Sequence, residues 1–189
     1  MYQRISRRTK RKSKLKHVLK DSLVLVAFMC LCLTDNIAQT TSNDRIQYCI
    51  YVIKKNIKNK VFEKARIDAE YGKIETNVCY LGLIGKGFDT FKILNVSVIS
   101  GMSHRATNEI YVFNKGNKYL GRYKGFFEKE LPLRISENKL VFKNIVTSGC
   151  KLTQSVFVGF ENGPPKQILF GCNTFDDRVY SFFSVETDK

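Results

Sequence analysis

Apolar and polar positions along the chain fall into short runs whose period identifies the elements. Val156, Val158 and Phe160 share one face of an alternating run, and Ile168, Phe170 and Cys172 share one face of another. Glu109–Phe113 and Lys118–Tyr123 flank Asn114-Lys115-Gly116-Asn117, a hairpin signal. Leu133–Ile135 and Lys139–Phe142 flank Ser136-Glu137-Asn138 in the same manner. Ser155–Phe160 and Gln167–Cys172 flank Glu161–Lys166, where Asn162-Gly163 favours a turn and Pro164-Pro165 cannot donate to a ladder. Arg178–Val185 is a further strand.

The first half is less regular. Arg45–Ile53 is rich in β-branched and aromatic residues and is expected to be a strand. Val61–Ala69 suits either a strand or one short helix near 61–70. Lys73–Ile84 reads as a strand ending at Gly85-Lys86-Gly87. Together these runs predict an all-β fold, an antiparallel meander closing into a sandwich or a barrel.

One block departs from this pattern. Ser22–Leu33 carries no charge and only one polar residue. As a helix of twelve residues it would be about 18 Å long, short of the roughly 30 Å hydrocarbon core. Nine basic residues precede it. A basic run followed by a short apolar block is the layout of a secretory signal, with the positive end held on the cytoplasmic side. Residues 1–38 are therefore expected to be a signal peptide or a signal-anchor with a signal helix, 39–44 a linker, and 45–189 a single β-rich domain. The expected location is outside the cytoplasm, periplasmic or extracellular, with residues 22–33 as the anchor if the leader is retained.

The leader changes how the charge is read. The chain carries +15, of which residues 1–38 contribute +7. The remaining basicity favours an anionic envelope component or a protein as partner, and makes nucleic acid an unlikely one for an exported domain. Lys54, Lys55, Lys58 and Lys60 form the densest basic cluster and are candidate anion-binding residues.

Export also bears on the cysteines. Four lie beyond the leader: Cys49, Cys79, Cys150 and Cys172. No pair has the close spacing of a zinc or redox motif, so structural disulfides are expected in an oxidising compartment. Neighbour pairing along a meander favours Cys49–Cys79 and Cys150–Cys172, among three possible connectivities.

Candidate chemistry is sparse. His104 is the one histidine beyond the leader, in a Gly/Ser loop that reads as solvated surface. Gly82–Gly87 lacks the spacing of a phosphate-binding loop and reads as a glycine-rich strand end. Asp176-Asp177 reads as a solvated turn. Asn95-Val96-Ser97 matches the N-glycosylation pattern. No metal site, cofactor or catalytic residue is assigned. The expectation is an exported, disulfide-braced binding module of the inhibitor, immunity or envelope-binding kind. The alternatives are a carboxylate-based glycan hydrolase and a membrane-tethered structural component.

Overall fold

The computed structural model describes residues 42–69, 71–87, 89–101, 105–143, 155–171 and 178–185. The apolar block Ser22–Leu33, His104, Asp176, Asp177, Cys150 and Cys172 lie outside the described residues. Residues 46–189 belong to one compact unit. Among the described residues, no helix is long and apolar enough to cross a membrane.

The fold is mostly β and antiparallel. Ten strands are described: β1 Val61–Asp68, β2 Gly72–Lys86, β3 Asp89–Ser100, β4 Arg105–Asn114, β5 Tyr119–Phe126, β6 Arg134–Ser136, β7 Lys139–Phe142, β8 Val156–Gly159, β9 Gln167–Phe170 and β10 Arg178–Ser184. Seven of them form one sheet in the order β1-β2-β3-β4-β5-β10-β9, and β6-β7-β8 form a second. The meander holds through β5. The chain then leaves the large sheet, builds the small one, and returns so that β10 pairs with both β5 and β9. The runs flanking Glu161–Lys166 are thus not hairpin partners: β8 pairs with β7, and β9 with β10.

The helix of the first half lies where a strand is expected, and of the two readings open for Val61–Ala69 the strand is the one found. Residues 42–55 are helical (α1), and Val61–Asp68 is a strand. Ile46, Cys49, Ile50 and Ile53 recur at i, i+3, i+4 and i+7, which is a helical stripe. Cys49, Val52 and Ile53 are buried in an apolar cluster with Val78, Tyr80, Leu94, Val96 and Tyr111 of the large sheet. Packing of that stripe outweighs the β-propensity of its residues. Asn56, with φ of 52°, ends α1 in the left-handed region, and its N–H donates to the Ile53 carbonyl. Lys54 and Lys55 sit in the last turn, where a positive charge complements the helix dipole.

The opposite face of the large sheet packs on the small one. Ile84, Phe91, Ile93, Ile110, Val112 and Tyr123 from the large sheet meet Leu140 and Phe142 of β7, with Phe160, Ile168 and Phe170. The helix, the large sheet and the small sheet therefore form three layers. The turns follow their residues: Glu137 and Asn138 have φ of 48° and 60°, which suits a tight two-residue hairpin between β6 and β7. Asn138 Oδ1 also accepts from the Gly85 N–H at 2.6 Å. That bond ties the β2–β3 hairpin to the small sheet and makes the glycine-rich segment a structural strand end. A β-carbon at Gly85 would lie 1.9 Å from the Asp89 carbonyl oxygen, so only glycine fits there.

Candidate functional site

Alternation along β2 and β3 sends Val78, Tyr80, Leu94, Val96 and Val98 toward α1. The intervening residues face the small-sheet side. There the register places Cys79 opposite Asn95, and Asn77 opposite Ser97. On β1, Val61 stands opposite Cys79, and on β4, Asn108 stands opposite Ser97. The result is a polar floor, two rows wide, beside the apolar part of the same face that Ile93, Ile110 and Val112 form, with Glu63 of β1 opposite Asn77.

A cleft of about 340 Å³ lies over this floor. Its lining includes Asn59, Val61, Asn77, Cys79, Leu81, Asn95 and Ser97, with Glu128 and Leu131–Leu133 as the facing wall. Asn108 braces the floor from the neighbouring strand: it accepts from Ser97 Oγ at 2.6 Å, and its Nδ2 donates to the Phe126 carbonyl at 3.1 Å. Asn95 Nδ2 donates to the Pro132 carbonyl at 2.8 Å, joining floor to wall. Because that carbonyl can only accept, the orientation of the Asn95 amide is set. Its Oδ1 is shielded from solvent and accepts no hydrogen bond among the described residues. A group left in that state costs about 1–3 kcal/mol.

The wall is held at two further points. The Leu133 N–H donates to the Val141 carbonyl at 2.8 Å, fixing it to β7. Glu130, in the 3-10 turn Glu128–Glu130, is buried. Its Oε2 accepts from the Phe127 N–H at 3.0 Å and from Tyr180 Oη at 2.7 Å. Its Oε1 pairs with Arg178, whose guanidinium lies over the Phe127 ring at 5.0 Å. One carboxylate thus pins the wall to β10.

The thiol in the cleft is not activated. Burial pushes Cys79 above the ordinary thiol pKa, so it remains protonated at neutral pH. Alkylation of Cys79 by iodoacetamide is therefore expected to be slow at pH 7.5 and to accelerate beyond about pH 9, the ordinary range. The rate is to be followed by peptide mass spectrometry at several pH values. A rate plateau below pH 8 would contradict the assignment.

The expected Cys49–Cys79 bridge is corrected by this geometry. Cys49 is on α1 and buried on one side of the large sheet, whereas Cys79 faces the other side. The two are not bridged to each other. Neighbour pairing assumed two adjacent strands, but a helix lying across a sheet reaches only the residues of the near face. Cys150 and Cys172 fall outside the described residues, so the second expected pair is not described.

The four candidate anion-binding lysines are all exposed and lie around the end of α1 and the turn that follows. Each place has a local physical role. Lys55 Nζ sits 5.0 Å from the Tyr51 ring centroid and Lys60 Nζ 5.6 Å from that of Phe62. The Lys58 stem lies across Gly82, where a β-carbon would come within 3.4 Å of its Cε. None of the four lines the cleft. The Asn95 sequon falls inside it, with the side-chain nitrogen that glycosylation would modify already donating to Pro132.

Pattern reading passed over Asn77, Asn95 and Ser97. The signal was present: Leu94-Asn95-Val96-Ser97-Val98 alternates strictly, with small polar residues on its second face. A second cavity, about 650 Å³, is lined by Lys118–Leu120, Pro164, Phe182, Ser184 and Val185. Its lining is largely apolar, and it lacks the braced amides that distinguish the cleft. Among the described residues, no group of three His, Cys, Asp or Glu is placed to hold a metal ion. Searches among known protein families, curated proteins and solved structures find no match to this chain.

Proposed function

We propose that the chain is an exported β-rich binding module that uses the Asn77–Asn95–Ser97 cleft to hold a ligand, and that it is not a catalyst. The observation that carries this reading is the set of amides at inward positions of β2 and β3. Apolar side chains there would extend the core at lower cost, as Ile93, Ile110 and Val112 do on the same face. Half-buried polar groups at inward positions of a sheet are a mark of binding surfaces, which give up stability for recognition. The chemistry of the lining agrees. Its neutral amides and hydroxyl both donate and accept but do not titrate near neutrality. The thiol is held protonated, and Glu128 is the one carboxylate among the described residues of the lining. The glycan-hydrolase alternative calls for a second carboxylate about 5–9.5 Å from the first.

The export half of the proposal rests on the basic run before Ser22–Leu33. Intact mass and N-terminal sequencing of the protein from its own cell test it. A chain beginning near Gln39, or a full-length chain recovered with membranes, is expected. A full-length product in the soluble cytoplasmic fraction would refute export. The binding half is tested by titrating the ¹⁵N-labelled full-length chain with a soluble extract of the cell envelope. Shifts are expected for the side-chain amides of Asn77 and Asn95 and the backbone of Ser97. An extract that leaves these unmoved would overturn the reading, and turnover of one of its components would point to a catalyst instead.

A further inference from the structure

Resting on that reading, we infer that the ligand of the cleft is a neutral sugar ring, read through its hydroxyls by Asn77, Asn95 and Ser97 and seated by its C–H face on the Leu131–Leu133 wall.

The floor sets the charge. Side-chain amides and a hydroxyl face the cleft, and the one ionised group among the described lining residues, Glu128, is an acid at an exposed position. A phosphate or carboxylate ligand would meet no cation among the described lining residues and would be repelled by Glu128. The basic residues nearest in sequence, Lys54, Lys55, Lys58 and Lys60, are outside the lining. The floor also sets the hydrogen-bonding type. A sugar hydroxyl donates one bond and accepts others, and an asparagine amide offers a donor and an acceptor side by side. Asn77 offers both to the cleft, Asn95 its second Nδ2–H, since the first goes to Pro132 and its Oδ1 is shielded, and Ser97 Oγ a lone pair, since its proton goes to Asn108; across adjacent strands these match a row of hydroxyls. A purely apolar ligand would leave these groups desolvated and unpaired, which a site built for hydrogen bonding rejects strongly.

The wall supplies the other half of the match. Leu131, Pro132 and Leu133 face the floor, and Val61 and Leu81 lie among the floor residues. A pyranose ring has a polar rim and an apolar C–H face, so it suits a cleft with one polar and one aliphatic side. At about 340 Å³ the cleft is near the lower limit for small-ligand sites. That favours one or two rings at the site, either as a free sugar or as the end of a longer glycan.

The test is a panel titration of the ¹⁵N-labelled full-length chain. Glucose, galactose, mannose and N-acetylglucosamine, and a neutral disaccharide of each, are added separately at millimolar concentration. Inorganic phosphate, glucuronate and a neutral tripeptide serve as contrasts. At least one neutral sugar is expected to shift the Asn77 and Asn95 side-chain amides. A disaccharide that binds more tightly than its monosaccharide would identify a glycan end as the source. Asn77→Val and Ser97→Val are each expected to weaken binding about tenfold, one lost hydrogen bond apiece. Asn77→Val is expected to melt at or above the temperature of the parent chain, which separates lost binding from lost folding, whereas Ser97→Val also strands the buried Asn108 Oδ1 and is expected to melt lower.

The proposal is overturned if no neutral sugar moves these resonances. It is also overturned if the tripeptide or an anion moves them instead, or if sugars shift only the Lys54–Lys60 segment. The envelope extract keeps the two readings apart. If the extract moves the cleft resonances and no sugar does, the ligand class is wrong and the binding module stands. If neither moves them, both fall.

Discussion

Replacing Glu130 with alanine is expected to lower stability by about 3–5 kcal/mol, the largest effect of any single side-chain truncation outside the apolar core. Removing one partner of a buried charged network leaves the others desolvated without compensation. Here the truncation strands Tyr180 Oη, the Phe127 N–H and the Arg178 guanidinium together. Arg178 is 38% exposed and recovers part of its hydration, which places the effect toward the lower figure. At about 2–4 °C per kcal/mol for a domain of this size, the melting temperature should fall by about 6–12 °C. Glu130→Gln retains an acceptor for Tyr180 and should lose less. Thermal denaturation followed by circular dichroism measures both. A fall under about 2 °C for the alanine variant would mean that Glu130 does not anchor the wall. The same variant should loosen the cleft, because the segment from Phe127 to Leu133 loses its tie to β10.

The second large effect is a steep loss of stability in alkali. Tyr119 and Tyr123 are driven far above the ordinary phenol pKa, in both cases chiefly by burial. Tyr123 also donates to the Pro165 carbonyl at 2.7 Å, a bond its ionised form could not make. Their folded-state values are raised above the unfolded value of about 10. The stability of the neutral pair is therefore fully present below pH 10. It is lost as the pH rises from there toward the folded-state values, because the unfolded chain releases protons that the folded chain retains. Each tyrosine contributes about 1.4 kcal/mol per pH unit, and the two together about 2.7. Unfolding midpoints in urea at pH 8, 10, 11 and 11.5 measure the slope. Tyr123→Phe should reduce it by about half, at a cost of about 1 kcal/mol at neutral pH for the lost hydrogen bond. A midpoint unchanged between pH 10 and 11.5 would show that these phenols are not sequestered.

Both effects depend on partners that are distant in sequence, and this marks what a linear reading can reach. The hairpin at Asn114–Asn117 is legible because its turn chemistry is local. Asn117 has φ of 68°, and its N–H donates to the Asn114 carbonyl. The β6–β7 hairpin is legible for the same reason. At Arg45–Ile53 two periods compete in one short stretch. Residue preference pointed to a strand, and the stripe of Ile46, Cys49, Ile50 and Ile53 to a helix. The sheet face beneath it decided the matter. The cleft lies between these cases. Alternation exposed Asn95 and Ser97 as a distinct face of β3, but nothing in β3 itself says whether that face meets solvent, core or ligand.

By itself, the amino-acid order determines an antiparallel β protein with its main turns in place, since alternation and turn residues act over a few positions. It also places a basic run and a short apolar block ahead of the strands, and the expectation of export rests on that order alone. Only the tertiary structure decided that β10 enters beside β5, that Cys49 and Cys79 face opposite sides of one sheet, and that three polar residues share a cleft with a leucine–proline wall. Those facts depend on register and layer order. They are set by which apolar faces bury each other best across the whole chain, a sum over distant pairs that no local window contains.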